Sequence, residues 1–303
     1  KVGPIVVAEV MRELNANWQP EDASIIDWPH SRMMQTTDQI TAPFNDPWLS
    51  GRVAVFHALN DLLAMNSTPH SLQVAITMPF AGRTVQRREL SLLMAGIQSA
   101  CKDESVTLLG GHTREGSAMS IAITANGIPG EKEFNKTGAR AGDRLFTNKP
   151  LGTGIVLAGH MQGLAAGRVL SETQAVMNTS NRSGFETLEQ AEISACTDIS
   201  GFGLLGHLAE MLAGSDLKPV LEFENIPIQI GAKELSARGV YSSLLPQNEA
   251  FLLSVPWTDV FCKHKTWPIL LDPQTSGGLL VTSKKVNEKL LKEARFQKIG
   301  WVE

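Results

Sequence analysis

The chain has 303 residues, of which 43% are hydrophobic and 19% charged, and its net charge is −4. This is the composition of a globular protein with a substantial core and room for two domains. The acidic balance excludes the basic surface of a nucleic-acid-binding protein, and no Lys/Arg run indicates a membrane surface. We therefore expect neither nucleic acid nor membrane as a partner.

The number and spacing of the cysteines indicate the redox state of the cellular compartment. Cys101, Cys196 and Cys262 lie far apart and form no C-x-x-C pair, so they indicate neither a zinc site nor a disulfide framework. No apolar run reaches the roughly 18 residues of a membrane span. The sequence therefore predicts a reduced, cytoplasmic protein.

The first half of the chain predicts strands and helices in alternation. After a short helix at 5–14, strands are predicted at 31–38, 71–78, 105–111 and 118–128. Helices are predicted at 51–65 and 84–103, where bulky apolar residues recur at helical spacing. A further strand begins at 143 and leads through a Gly-rich turn into a helix. This order predicts an α+β domain with a largely antiparallel sheet.

The second half continues in the same style. The predicted helices are 172–189, 202–213, 229–237 and 284–295, and the predicted strands are 191–197, 218–223, 269–272 and 279–283. Pro150, Gly152 and Gly154 form the clearest break between the halves. We therefore expect one domain at 1–148 and a second at 149–303.

The string "TDISGFGLLG" allows two interpretations. Gly201–Gly206 fits the G-x-G-x-x-G spacing of a dinucleotide-binding loop, and Glu222 follows at a suitable distance. However, Asp198 and two further residues separate the strand from the glycines, and its carboxylate would repel a pyrophosphate unless a cation bridged them. The plainer alternative is a strand-to-helix turn in which the glycines permit close packing.

Other aspartates favour a metal-dependent interpretation of Asp198. Asp22, Asp38 and Asp61 each lie near a strand end, a turn or a helix face of small residues. Separated carboxylates that converge in space, together with phosphate oxygens, are typical of Mg²⁺–nucleotide sites. Any one of them taken singly is more often a helix cap or a solvated carboxylate.

Three Gly-rich turns could present backbone N–H groups to phosphates. They are "LLGGHTREG", "KPLGTGIV" and "DPQTSGGLL", and each could equally be an ordinary turn. His112 follows Gly110 and Gly111 in the first of them. The chain contains no G-x-x-x-x-G-K-[ST] string, which excludes a P-loop.

Taken together, these strings resemble the selenophosphate synthetase (selenide, water dikinase) family of the aminoimidazole ribonucleotide synthetase superfamily. The matching strings are "QTTDQITAPFNDPWLSGRVAVFHALNDLLAM", "LGGHT", "NKPLGTG", "TDISGFGLLGHLAEM" and "LDPQTSGGLL". The resemblance covers nearly the whole chain. It implies a two-domain α+β fold in which the N-terminal sheets of a homodimer form a β-barrel.

The resemblance also implies roles for individual residues. The family converts ATP, hydrogen selenide and water to selenophosphate, AMP and phosphate with the help of Mg²⁺. The implied Mg²⁺ ligands are Asp22, Asp38, Asp61 and Asp198, and the implied ATP-binding residues are Thr36, Thr37, Gly110, Gly111 and His112. Lys1 matches the family's N-terminal catalytic lysine.

Two departures from the family pattern carry expectations of their own. Family members have a Cys- or selenocysteine-bearing loop just before the lysine, so we expect that loop upstream of Lys1, and some members are fused behind an FAD- and NAD-dependent oxidoreductase. Asn45-Asp46-Pro47 replaces an Asp-Asp-Pro loop, which lowers the negative charge beside the metals. Two alternatives therefore stay open: a phosphotransferase with a different substrate, and a non-catalytic ATP-binding module.

Overall fold

A computed structural model describes residues 5, 9, 21–28, 31–188, 191–285, 291 and 293–303. Lys1, most of the predicted helix at 5–14 and much of the one at 284–295 lie outside these residues. The described chain forms two compact units. The smaller unit comprises Asp22–Glu133 and Asn178–Phe185, and the larger includes Phe134–Met177 and Glu186–Glu303.

The smaller unit contains a mixed sheet. Its described strands are β1 (Ser24–Trp28), β2 (Ser31–Thr41), β3 (Ser67–Pro79), β4 (Thr107–Gly116) and β5 (Ser120–Pro129). The order across the sheet is β1-β2-β5-β3-β4, and every neighbouring pair is antiparallel except β3 with β4. The largely antiparallel sheet predicted from the sequence is confirmed, and β4 is its edge strand.

Two long helices cover this sheet. They are α1 (Pro47–Ala64) and α2 (Arg83–Asp103). Helix α1 begins where the Asp46 carboxylate accepts a hydrogen bond from the Leu49 N–H (3.1 Å), with Pro47 at the first helical position. Gly96 lets the helices approach closely, because a Cβ there would lie 1.9 Å from the Trp48 carbonyl oxygen. Helix α1 is apolar around most of its circumference, and most of its residues are accordingly buried.

The larger unit contains an antiparallel sheet of order β7-β9-β6-β10-β8. Its described strands are β6 (Arg144–Thr147), β7 (Ala195–Asp198), β8 (Pro219–Leu221), β9 (Leu279–Ser283) and β10 (Gln297–Val302). The helices after β6 in chain order are α3 (Thr153–Met161), α4 (Gly167–Met177), α5 (Arg182–Leu188), α6 (Gly203–Met211), α7 (Ala232–Ala237), α8 (Leu245–Leu252) and α9 (Trp267–Leu270). The first part of α5, up to Phe185, belongs to the smaller unit. Leu145, Ile155, Leu205 and Leu280 belong to the buried core of the larger unit.

Two predicted elements differ from the structure. The helix predicted at 172–189 is two helices, α4 and α5, because the Ser180 hydroxyl accepts a hydrogen bond from the Arg182 N–H (2.9 Å) and starts a new helix. The strand predicted at 269–272 is wrong. Residues 267–270 form a single helical turn instead, because a short apolar run fits either element and Pro268 suits a helix start.

The boundary between the halves stays a prediction. Strand β6 precedes residue 148, yet it pairs with β9 and β10 in the larger unit. Contacts therefore divide the chain before β6, whereas the Pro150, Gly152 and Gly154 cluster lies after it. Among the described residues, no helix has the length and apolarity needed to cross a bilayer.

Candidate functional site

In the smaller unit, β2 and α1 present matching polar pairs. Thr36 and Asp38 are two residues apart on β2 and share one face, while His57 and Asp61 are four apart on α1 and share another. The Thr36 hydroxyl donates to Asp61 Oδ2 (2.6 Å), and His57 Nε2 lies 2.8 Å from Asp38 Oδ2. A helix side chain thus contacts the Asp38 carboxylate, and a strand side chain contacts the Asp61 carboxylate.

Asp22 joins this group from the chain segment before β1. One of its carboxylate oxygens lies within 4.8 Å of a carboxylate oxygen of Asp61. Two carboxylates so close repel each other unless a cation lies nearby. The oxygen-only donors suit a hard cation such as Mg²⁺. Asp38 Oδ1 accepts a hydrogen bond from the Gln39 N–H (2.7 Å). The backbone of strand β2 therefore also restrains the Asp38 carboxylate.

The predicted ATP-binding residues lie in two places on the sheet. Thr37 faces Thr124 on β5, with their hydroxyl oxygens 3.0 Å apart, and Thr124 in turn pairs with Gln73, which pairs with Gly110. Thr37 and Gly110 therefore lie at the same level of the sheet but three strands apart, which is a distance of about 14 Å across the strands. Within one chain this is too far for hydrogen bonds of about 3 Å to the same phosphate group.

Strand β4 is exposed over most of its length, including Gly110, Gly111 and His112. Gly111 is required by close packing, since a Cβ there would lie 1.9 Å from the Val74 carbonyl oxygen. Gly110 has φ = +144°, a conformation that side chains disfavour. Both glycines shape the edge strand.

In the larger unit, Asp198 ends strand β7 and is almost fully buried. Its Oδ2 atom has no hydrogen-bond partner within the described parts of the chain. A buried carboxylate oxygen without a hydrogen-bond partner destabilises the folded protein. The Oδ2 atom therefore indicates that Asp198 binds a ligand from outside the chain. The dinucleotide interpretation of the following glycines is wrong, because β7 pairs antiparallel with β9 and forms no parallel βαβ unit with it.

Backbone hydrogen bonds fix the turn after Asp198. The Ile199 N–H donates to the Gly278 carbonyl (2.7 Å), and the Gln274 N–H donates to the Ser200 carbonyl (2.8 Å). Gly277 packs so closely on this turn that a Cβ would lie 2.0 Å from the Ile199 carbonyl oxygen. The segment 274–278 therefore determines where Asp198 lies.

His207 connects the same turn to a charged pair. The Ser200 N–H donates to His207 Nε2 (3.0 Å), which leaves the ring proton on Nδ1 to be donated to Glu210 Oε2 (3.0 Å). Lys136 Nζ lies 3.3 Å from the same oxygen. Burial would raise the pKa of Glu210, but the hydrogen bond from His207 and the Lys136 charge lower it from 4.5 to about 2. Glu210 therefore stays ionised and holds the histidine in place.

Two side chains of the "DPQTSGG" segment cap helix α3. Gln274 Oε1 accepts hydrogen bonds from the Gly152 N–H (3.1 Å), the Thr153 N–H (3.1 Å) and the Thr153 hydroxyl (2.9 Å). Burial raises the pKa of Asp272 to about 8, although N–H groups of the same helix end and of Gln274 oppose this. The cap satisfies donors that a helix start otherwise leaves without partners.

The same segment is linked to Lys149, whose Nζ donates to the Ser276 carbonyl (3.0 Å). The strings "NKPLGTG", "TDISGFG" and "LDPQTSGG" thus interlock around Asp198. We did not anticipate Asp272, Gln274, His207 or His57 from the sequence. His57 had a usable signal, because it lies one helical turn before Asp61.

Two family models match the chain. The AIR synthase related protein N-terminal domain matches residues 20–128, and the C-terminal domain of the same family matches residues 140–303. The two-unit fold agrees with the AIR synthase related class of proteins. Hydrogenase maturation protein HypE in complex with ATP superposes with a TM-score of 0.68 at 19% identity, covering 96% of this chain and 83% of that one.

Curated relatives define the family more closely. The chain is 34% identical to a selenide, water dikinase of Geobacter metallireducens over 87% of this chain and 76% of the relative. It is 31% identical to one of Trichlorobacter lovleyi over 93% of this chain and 84% of the relative. The chain therefore belongs to the selenide, water dikinase family of ATP-dependent phosphotransferases. The resemblance and the two-domain fold class inferred from the motifs are confirmed.

Proposed function

We propose that the protein is an ATP- and Mg²⁺-dependent phosphotransferase that forms selenophosphate from hydrogen selenide and releases AMP and orthophosphate. The observation that carries this proposal is the 34% identity to a selenide, water dikinase over 87% of the chain. The arrangement of carboxylates in each unit supports it.

The carboxylates fit a magnesium site. Asp22 and Asp61 bring two oxygens together, and Asp198 offers a buried oxygen without a protein partner in the described structure. We assign Mg²⁺–ATP binding to these three and to Asp38. Bound Mg²⁺ would neutralise the triphosphate charge and orient it for attack by selenide.

The chain's own residues then have distinct tasks. Thr36 and His57 orient Asp61 and Asp38, and the turn at 199–200 orients Asp198. We assign contacts with the ATP phosphates to Thr36, Thr37, Gly110, Gly111 and His112. Preorganised ligands of this kind lower the barrier because they need not rearrange as charge develops.

We propose a homodimer as the working form. Strand β4 is an exposed edge on which Leu109 is 57% exposed, and such an edge is a template for pairing with another chain. Since Thr37 and Gly110 are about 14 Å apart across one sheet, we assign the glycines that contact the same phosphate group as Thr37 to β4 of a second copy. The β-barrel across the dimer remains part of this proposal. Light scattering should give the mass of a dimer, and a monomer would contradict it.

The catalytic role of Lys1 remains a prediction, since this residue lies outside the described part of the chain. The upstream Cys-bearing loop, a fused oxidoreductase and a cytoplasmic location also remain predictions.

Phosphorus NMR of a reaction with ATP, Mg²⁺ and selenide tests the proposed activity. We expect selenophosphate, AMP and orthophosphate in equal amounts, with no selenophosphate when selenide is omitted. ADP as the final product would contradict the proposal. Turnover with sulfide in place of selenide would favour the different-substrate alternative. Mg²⁺–ATP binding without turnover in the full-length protein would favour the non-catalytic module.

A further inference from the structure

A second polar feature of the smaller unit lies outside the carboxylate site. It is a cavity of about 490 Å³ between the first turns of α2 and the second half of β4. We call it the arginine groove, and the lining residues that matter are Arg83, Arg87, Arg114, Thr113, Met78 and Leu90. Its volume is in the roughly 300–1,000 Å³ range of small-molecule sites.

The charges in the arginine groove are not balanced. Neither Arg83 nor Arg87 forms an ion pair with any residue that the structure describes, and Arg114 Nε donates to the Thr77 hydroxyl (3.1 Å). The carboxylate lining the groove, that of Glu115, accepts a hydrogen bond from Gln86 Nε2 (2.6 Å). One exposed carboxylate therefore faces three guanidinium groups.

Arginines elsewhere in the same unit are paired. Arg32 contacts Asp27 (2.8 Å), Arg52 contacts Asp103 (2.8 Å) and Arg182 contacts Glu104 (3.0 Å). Arg88, which neighbours the groove residues in sequence, contacts Glu89 (2.6 Å). Arg83 and Arg87 differ from these because they line the groove without an ion pair to any residue that the structure describes.

Their positions are also unfavourable for the protein by itself. Arg83 lies in the first turn of α2, at the positive end of the helix dipole, where a cation is destabilising. Arg87 follows four residues later on the same face, which adds repulsion between like charges. A bound anion would offset both effects.

We propose that the arginine groove binds the phosphate or pyrophosphate group of a small molecule. Guanidinium groups donate paired hydrogen bonds that match phosphate oxygens, and the Thr113 hydroxyl adds another donor. Met78 and Leu90 offer an apolar wall for the rest of the ligand. A nucleic acid would need a larger basic surface than this chain of net charge −4 supplies.

Calorimetric titration of the full chain without Mg²⁺ tests the proposal. The probes are sodium pyrophosphate, sodium orthophosphate and AMP, at constant ionic strength. We expect saturable binding of at least one probe at one site per chain, and we expect Arg83→Gln and Arg87→Gln each to weaken it about tenfold. Tighter binding of AMP than of orthophosphate would indicate a nucleotide on the apolar wall, whereas equal affinities would indicate the free anion.

Matched variants separate this site from its surroundings. Arg88→Gln, on the same helix but outside the groove, should keep the affinity within about twofold. Asp61→Asn removes a proposed Mg²⁺–ATP ligand and should also leave the affinity of the arginine groove unchanged. The groove can therefore be tested even if the proposed function fails. The Arg83→Gln/Arg87→Gln double variant should have an unchanged or higher Tm. Absence of saturable binding, an equal loss in Arg88→Gln, or a lower Tm in the double variant would overturn the proposal.

Discussion

The aspartates of the two units are held in different ways. In the smaller unit, Asp38 and Asp61 are half-buried and each is oriented by one side chain, His57 or Thr36. In the larger unit, Asp198 is buried and its position follows from backbone contacts among glycine-rich segments. The carboxylates of the first region are thus oriented by side-chain hydrogen bonds, whereas the carboxylate of the second is positioned by close backbone packing. The following predictions test that difference.

The largest expected effect is that of Gly277→Ala in the larger unit. The new Cβ would lie 2.0 Å from the Ile199 carbonyl oxygen, so the turn that carries Asp198 must shift. We expect a loss of about 3 kcal/mol in the free energy of unfolding, measured in urea, together with loss of Mg²⁺–ATP binding.

Gly167→Ala is the matched control for this change. A Cβ at Gly167 has no heavy atom within 4 Å, and the residue begins α4. Its unfolding free energy should stay the same or rise by up to about 1 kcal/mol. Equal losses in both variants would refute the packing argument.

The next effect compares the aspartates themselves. Asp198→Asn should weaken Mg²⁺–ATP binding by more than about 100-fold without lowering the Tm of the free protein, because it removes a buried charge whose Oδ2 has no partner in the described structure. Asp61→Asn should weaken binding less, because neighbouring carboxylates remain. Calorimetry and thermal unfolding measure both quantities, and a lower Tm for Asp198→Asn would mean that the carboxylate stabilises the fold.

Two carboxyls of the larger unit, the half-buried Glu210 and the buried Asp272, should respond to pH in opposite directions. The pKa of Glu210 is lowered to about 2, so its contribution to stability is present above about pH 4.5 and is lost as the pH falls towards 2. The pKa of Asp272 is raised to about 8, so its contribution is full below about pH 4 and is lost as the pH rises towards 8.

Thermal unfolding from pH 3 to pH 8 with Glu210→Gln and Asp272→Asn checks this. The Tm difference between wild type and Glu210→Gln should shrink in acid. Because asparagine resembles the protonated carboxyl, the Tm of the wild type should fall relative to that of Asp272→Asn as the pH rises. Parallel curves for the three proteins would contradict the opposite shifts.

The smallest effect should come from His57→Gln in the smaller unit. The glutamine amide can replace part of the 2.8 Å contact with Asp38. We expect Mg²⁺–ATP affinity to fall about tenfold with an unchanged fold, as for residues that orient metal ligands. His57→Leu should cost more, and equal affinity in all three proteins would show that Asp38 needs no orienting partner.

The sequence predicted more of the smaller unit than of the larger one. Helices α1 and α2 and strand β3 have clear periodicity, and the motifs indicate Thr36, Asp38 and Asp61 as candidate site residues. His57 was missed, although it lies one helical turn before Asp61. The strand predicted at 269–272 failed because a short apolar run has no period of its own. The cap formed by Asp272 and Gln274 could not be predicted, because it depends on which distant segments meet.

That cap also sets an order of events during synthesis. Gln274 and Thr153 are 121 residues apart in sequence, whereas Thr36 and Asp61 are 25 apart. Chains fold from the N-terminus as they emerge, and contacts between distant residues form late because long loops must close first. The smaller unit's pairs can therefore form while the ribosome is still translating, and α3 waits for its cap until residue 274 has been made. Truncation or a translational pause before residue 274 would leave that helix start exposed to proteases.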